Sequence, residues 1–228
     1  MQNIYPTAYL LISYLLGSVP FGYIISNFSG KKILEIGWRK TSGSNVFKNV
    51  GKKQGIATAF LDIFKGYLAV WGAEKLGFSQ DIQIFSGVAA VVGHNWSCFL
   101  NFSGGRGIGT FGGALLAMSP KIMGIAVVSL VSVAVIWDAA IGTIFILALI
   151  IFSYIFSMPF FERGQAEMAC IFTTFCLIPI FIKRLSPIKE IFTAKNKAKL
   201  ILSRLIFDDN APNFDFRIKR IAKKLTKS

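Results

Sequence analysis

The sequence predicts an all-α integral membrane protein, a single domain of about seven transmembrane helices. Composition is the first reason. Of 228 residues, 54% are hydrophobic, 14% aromatic and 16% charged, with a mean hydropathy of +0.58. That is too apolar for an ordinary water-soluble domain. The second reason is distribution: the apolar residues fall in runs long enough to cross a bilayer core as helices, without the strand-length alternation of an outer-membrane barrel. A third observation orients the chain. The formal charge of +14 is concentrated in residues 28–53, with seven Lys or Arg against Glu35, and in residues 183–228, with thirteen against four acids. Blocks this basic belong on the cytoplasmic face, where they meet anionic lipid headgroups; this is favoured over nucleic acid as the partner.

Taken in order, the first helix covers about residues 4–27. No basic region precedes it and no small-residue cleavage signal follows, so it reads as a retained helix and not as a signal peptide. Gly17, Ser18, Pro20 and Gly22 allow a bend or close packing. The loop 28–53 is polar and rich in Gly, Ser, Asn and Lys, suited to anion contact or to attraction by headgroups. A second helix, about 54–76, carries Asp62 and Lys65 one turn apart on one face, as an ion pair or as the lining of a polar cavity. Helices follow at about 82–99, 107–118, 121–137, 139–157 and 168–182, with breaks at Pro120 and near Asp138 and a polar loop over 162–167. Residues 1–182 form the membrane domain and residues 183–228 a basic cytoplasmic tail. In that tail Phe216, Ile218, Ile221 and Leu225, among Arg217, Lys219, Arg220, Lys223 and Lys224, outline a basic amphipathic helix, disorder being the alternative. Seven spans put the N-terminus outside, and the loops 28–53 and 100–106 inside with the tail. Cys98, Cys170 and Cys176 lack metal-ligand spacing and read as packing residues.

The most unusual stretch is 93–110, which holds the only histidine, His94, with Gly93, Gly104, Gly105, Gly107, Gly109 and Arg106. Glycines let the backbone turn sharply and bring N–H groups against an anion, and Arg106 adds a charged fork. A helix starting near Gly107 aims its positive end at the same place. This reads as a phosphate cradle at a membrane surface, or as a flexible turn whose small residues serve close helix packing. The spacing matches neither the nucleotide P-loop nor the dinucleotide fingerprint.

Four blocks in order resemble the bacterial PlsY family, membrane glycerol-3-phosphate acyltransferases that use an acyl-phosphate donor. They are Tyr14-Leu15-Leu16-Gly17-Ser18-Val19-Pro20-Phe21-Gly22; Asn45-Val46 with Gly51-Lys52-Lys53-Gln54-Gly55; Leu61-Asp62 with Lys65-Gly66; and Gly93-His94 with Phe102 and Gly104-Gly105-Arg106-Gly107. The resemblance covers about residues 8–185. It implies a seven-span enzyme of the bacterial inner membrane with a cytoplasmic-side site. Such an enzyme makes lysophosphatidic acid for phospholipid biosynthesis, with no metal and no cofactor. The chain also departs from the family. Trp38 stands at the place of a family serine, Lys48 at that of an arginine and Arg106 at that of a lysine. The family's third motif, a His and an Asn followed by a Glu, has no clear match in 181–190.

Acyl transfer from an acyl-phosphate requires two phosphates to be neutralised, the glycerol hydroxyl to be aligned and the oxyanion to be stabilised. The expected donor-phosphate site is Gly104, Gly105, Arg106 and Gly107, with Arg39, Lys40 and Lys48 meeting glycerol 3-phosphate. Ser42, Ser44 or Asn45 orients the hydroxyl, and Asp62 and Lys65 support the site. His94 is a candidate base or a packing residue; it does not open a His-x4-Asp motif, because Phe99 follows five residues on. The rival reading is a non-catalytic paralogue that binds phosphate or lipid headgroups. A transporter is disfavoured, since no inverted repeat is evident.

Overall fold

A computed structural model describes residues 4–136, 139–156 and 162–208, and among these it contains helices and turns but no strand. The expected break at Asp138 and the amphipathic stretch 216–225 lie outside the described residues. The helices are α1 (Ile4–Ser18), α2 (Phe21–Phe28), α3 (Gly43–Asn49), α4 (Lys52–Lys75), α5 (Gln80–Asn95), α6 (Ile108–Met118), α7 (Pro120–Ile136), α8 (Ala139–Ile155), α9 (Arg163–Leu185), α10 (Ile188–Thr193) and α11 (Lys197–Phe207). The α1–α2 run, α4 and α9 are each long and apolar enough to cross a membrane, and α6, α7 and α8 are shorter apolar helices.

α4 and α5 are central. α4 packs on α6, α5 and the short α3, while α5 packs on α1 and α9, and α7 and α8 pair beside them. An apolar core of Val70, Ile84, Val91, Phe111, Leu115 and Phe172 joins these layers, with the Phe111 and Phe172 rings stacked at 5.0 Å. The α4–α6 crossing is closest at two glycines: a Cβ on Gly66 would overlap the Thr110 carbonyl, and one on Gly113 the Ile63 carbonyl. Small residues of this kind let two helix backbones meet. Gly66→Ala is therefore expected to force the helices apart and cost about 1–3 kcal/mol, read as a lower Tm of the detergent-solubilised protein.

The ionisable residues of the spanning helices face inward, while large apolar side chains face both the core and the outer surface. On α4, Phe60 is 65% exposed while Asp62 is 3% and Lys65 2% exposed. Val128 and Ile178 likewise point out of the bundle. In water this arrangement would be costly, whereas in lipid it matches the solvent on each side.

Three elements differ from expectation. The first helix is two: Pro20 has no N–H to continue α1, and the chain restarts at Phe21. The loop 28–53 contains α3, which begins just after the extended Ser42. The last span is longer than 168–182 at both ends. Its polar start is the outer turn of α9, where Gln165 accepts from Ser119 Oγ at 2.8 Å and Glu162 lies 3.3 Å from Lys121. At its other end Lys183 and Arg184 are buried in the last turn, and α11 folds back onto α8 and α9 with α10 packed on α11. Hydropathy marks where a helix is apolar, and a helix does not stop where the lipid does.

Candidate active site

The lower layer of the site is a buried trio. Asp62 Oδ1 lies 3.1 Å from Lys65 Nζ and 3.3 Å from His94 Nδ1, and all three side chains are buried. Asp62 and Lys65 share a face of α4 because they are three residues apart, and the α4–α5 packing brings His94 to the same carboxylate. Lys65 Nζ also donates to Val19 O at 2.9 Å, a carbonyl at the joint that Pro20 creates between α1 and α2. Around the same joint, Ser97 Oγ donates to Ser18 O at 2.6 Å and Tyr14 Oη to Trp96 O at 2.8 Å. A buried charge is tolerated when it is paired and hydrogen-bonded, and here the pairing ties three helices together.

The glycine-rich turn sits directly on this trio. Gly105 N donates to His94 O at 3.1 Å, and a Cβ at 105 would run into His94 Nε2. Gly107 has φ +77°, a left-handed conformation that glycine adopts without strain, and α6 begins at the next residue. The first loop joins the turn where Thr41 N donates to Gly104 O at 3.4 Å. Trp38 reinforces the junction, its ring lying 5.1 Å from the Arg106 guanidinium carbon and 5.2 Å from Lys48 Nζ. Cations over an indole face are attracted by its quadrupole. Trp38 thus gathers two of the expected phosphate-binding cations.

The remaining loop residues are fixed by hydrogen bonds. Asn45 is fully buried; its Oδ1 accepts from Trp38 N at 3.0 Å and Asn49 Nδ2 at 2.8 Å, while its Nδ2 donates to Lys40 O at 2.8 Å. Its amide shapes the loop. Ser42 and Ser44 stand at the start of α3 with their hydroxyls 3.4 Å apart, Ser44 exposed. Lys40 is buried, and its Nζ donates to Lys183 O at 2.7 Å and Ser186 O at 3.3 Å. Burial, together with the Arg106 charge and more weakly Lys183 and Arg204, lowers the Lys40 pKa to about 7 against the upward pull of Asp208.

Arg39, Glu190, Arg204, Lys183 and Asp208 also belong to this end of the molecule. Arg39 donates to Glu190 Oε1 at 2.6 Å, and the other oxygen of Glu190 pairs with the fully buried Arg204. Burial pushes the Glu190 carboxyl up, but the two guanidiniums outweigh it and hold the pKa below the usual glutamate value. Lys183 Nζ lies 5.4 Å from the Trp96 ring centroid. Asp208 Oδ2 sits 2.5 Å from Arg106 Nε. The available signal for Glu190 and Asp208 was their rarity, as two of four acids in a strongly basic stretch.

The chain matches the family model described as glycerol-3-phosphate acyltransferase over residues 7–194. It belongs to the glycerol-3-phosphate acyltransferase family. It is 32% identical over 202 residues to the glycerol-3-phosphate acyltransferase of Desulfotalea psychrophila, covering 87% of this chain and 98% of that one. It is 40% identical over 124 residues to glycerol-3-phosphate acyltransferase 3 of Dehalococcoides mccartyi strain CBDB1, a match covering 49% of this chain and 57% of that relative's length. The fold is similar to the crystal structure of PlsY (YgiH), an integral membrane glycerol 3-phosphate acyltransferase, in its glycerol 3-phosphate form. That likeness has a TM-score of 0.67 at 25% identity over 82% of this chain and 92% of the other. This member of the glycerol-3-phosphate acyltransferase family is thus an all-helical integral membrane protein. α11 lies beyond the stretch that the family model matches.

Proposed function

We propose that the protein transfers an acyl group from an acyl-phosphate to a hydroxyl of glycerol 3-phosphate, giving lysophosphatidic acid and inorganic phosphate. The observation that carries this reading is the convergence of Arg106, Lys40 and Lys48 on a glycine-rich turn supported by the buried Asp62–Lys65–His94 trio. The ester C–O bond forms as the acyl carbon–oxygen bond to phosphate breaks, and the hydroxyl proton leaves with the phosphate. Phosphate departs readily, so the protein's task is to neutralise two phosphates and align the hydroxyl with the carbonyl. Arg106 and the N–H groups at the start of α6 hold one phosphate, and Lys40 and Lys48 meet the other. Ser42 and Ser44 orient the hydroxyl from the start of α3. Asn45 and His94 position the first loop and the turn. The basic end of the bundle faces the cytoplasm of a bacterial inner membrane, where anionic headgroups attract it.

The direct test is lysophosphatidic acid formation by the purified, detergent-solubilised protein from acyl-phosphate and glycerol 3-phosphate. Turnover is expected; a folded, monodisperse sample without turnover would leave the protein as a binder of phosphate. Lys40 adds a pH signature. With its pKa lowered to about 7, it loses its positive charge as pH rises through that value. The KM for a phosphate substrate is therefore expected to rise above pH 7 in the wild type more steeply than in Lys40→Arg, whose charge persists. Comparing the two enzymes cancels the titration of the substrate itself.

A further inference from the structure

Arg106 is engaged by the chain's own C-terminal region. Its Nε pairs with Asp208 Oδ2 at 2.5 Å and its Nη2 donates to Asp208 O at 2.9 Å, so one residue takes two nitrogens of the fork. A phosphate held bidentately needs two such donors. The contact is shielded, the two side chains being only 13% and 10% exposed. Asp208 reaches this place as the C-cap of α11, in the left-handed conformation (φ +52°). The rest of α11 is secured elsewhere. Buried Arg204 donates to Leu185 O and Pro187 O at 2.8 and 2.9 Å, Arg184 donates to Leu205 O at 2.6 Å, and Leu200 and Phe207 are buried.

We propose that α11 is a strap whose terminal carboxylate, Asp208, occupies the anion seat at Arg106, and that substrate phosphate binds by displacing it. The inference rests on the assignment of Arg106 to phosphate binding made above. A carboxylate offers one negative charge to Arg106, which it pairs with, and to Lys40, whose charge it also stabilises. A phosphate monoester offers about 1.5–2, so the incoming ligand outbids the resident one, while in its absence the seat is neutralised. α11 sits outside the stretch 7–194 that the family model matches.

The apparent affinity of a site that is open for a fraction of the time is reduced by that fraction. Asp208→Asn removes the charge and keeps a residue that tolerates the left-handed cap; Asp208→Gly serves as a second variant on the same ground. In purified full-length protein, with inorganic phosphate as the calorimetric probe, either variant is expected to lower the Kd about tenfold. The KM of whichever substrate places its phosphate on Arg106 falls with it. Arg106→Ala is expected to remove the phosphate-binding event that the Asp208 variants tighten, leaving only what Lys40 and Lys48 bind, and Arg106→Ala/Asp208→Asn not to restore it. Unchanged or weaker phosphate binding in folded Asp208→Asn and Asp208→Gly, with Arg106→Ala still deficient, would overturn the strap and leave the assignment of Arg106 standing. Phosphate binding by Arg106→Ala equal to wild type would overturn both. A purely structural ion pair lowers Tm on removal but does not tighten phosphate.

Discussion

Asp62→Ala is expected to be the most destabilising single change in the membrane-spanning helices, at about 3–5 kcal/mol. The carboxylate is the shared partner of Lys65 and His94, and all three side chains are buried. Removing it leaves an ammonium group with the Val19 carbonyl and the Phe21 ring as its partners and no countercharge, and His94 loses the carboxylate it faces. Leaving one charge of a buried pair uncompensated costs far more than deleting both. The double variant Asp62→Leu/Lys65→Met is accordingly expected to recover part of the loss, on the precedent that buried ion pairs can be replaced by apolar residues. Thermal unfolding in detergent measures both. If Asp62→Ala unfolds at the wild-type temperature, the trio does not hold α4 to α5.

Arg106→Ala is expected to produce the largest loss of activity, lowering kcat/KM by about 10²–10³-fold, as for removal of a preorganised donor to developing charge. Arg106→Lys restores the charge but loses the fork that engages two acceptors and stacks over Trp38, so it should recover most of the loss while remaining below wild type. The two variants separate charge from geometry in one steady-state assay of lysophosphatidic acid formation. Equal activity of Arg106→Ala and wild type would remove the turn from the site.

Much of the architecture was legible because lipid imposes a coarse rule. Long apolar runs marked the helices, and Pro20 and Pro120 marked the joints, the second as the first residue of α7, where its missing N–H costs nothing. The run 93–110 stood out because a polar, glycine-rich turn between apolar helices needs an explanation. What stayed hidden was set by long-range packing. Arg39 meets Glu190 across 151 positions and Arg106 meets Asp208 across 102, and nothing local to either arginine announces its partner. Trp38 could be read only as a departure from the family pattern, since stacking beneath Arg106 and Lys48 depends on how the loop folds over the turn. The inner half of α3 was hidden for a similar reason: Asn45 holds it from within by bonds to residues on both sides of the loop.

The lysine that reaches the joint between α1 and α2 carries a consequence for how such a sequence can change over time. Val19 O receives Lys65 Nζ because the helix is interrupted there. A substitution of Pro20 that healed the interruption would let the backbone compete for that oxygen and loosen the hold on the ammonium group. Loss of Lys65 first would leave Val19 O with its remaining contact from Phe21 N, which an uninterrupted helix would then replace. The two positions are therefore epistatic: what a replacement of Pro20 does depends on whether Lys65 is there to hold the Val19 carbonyl.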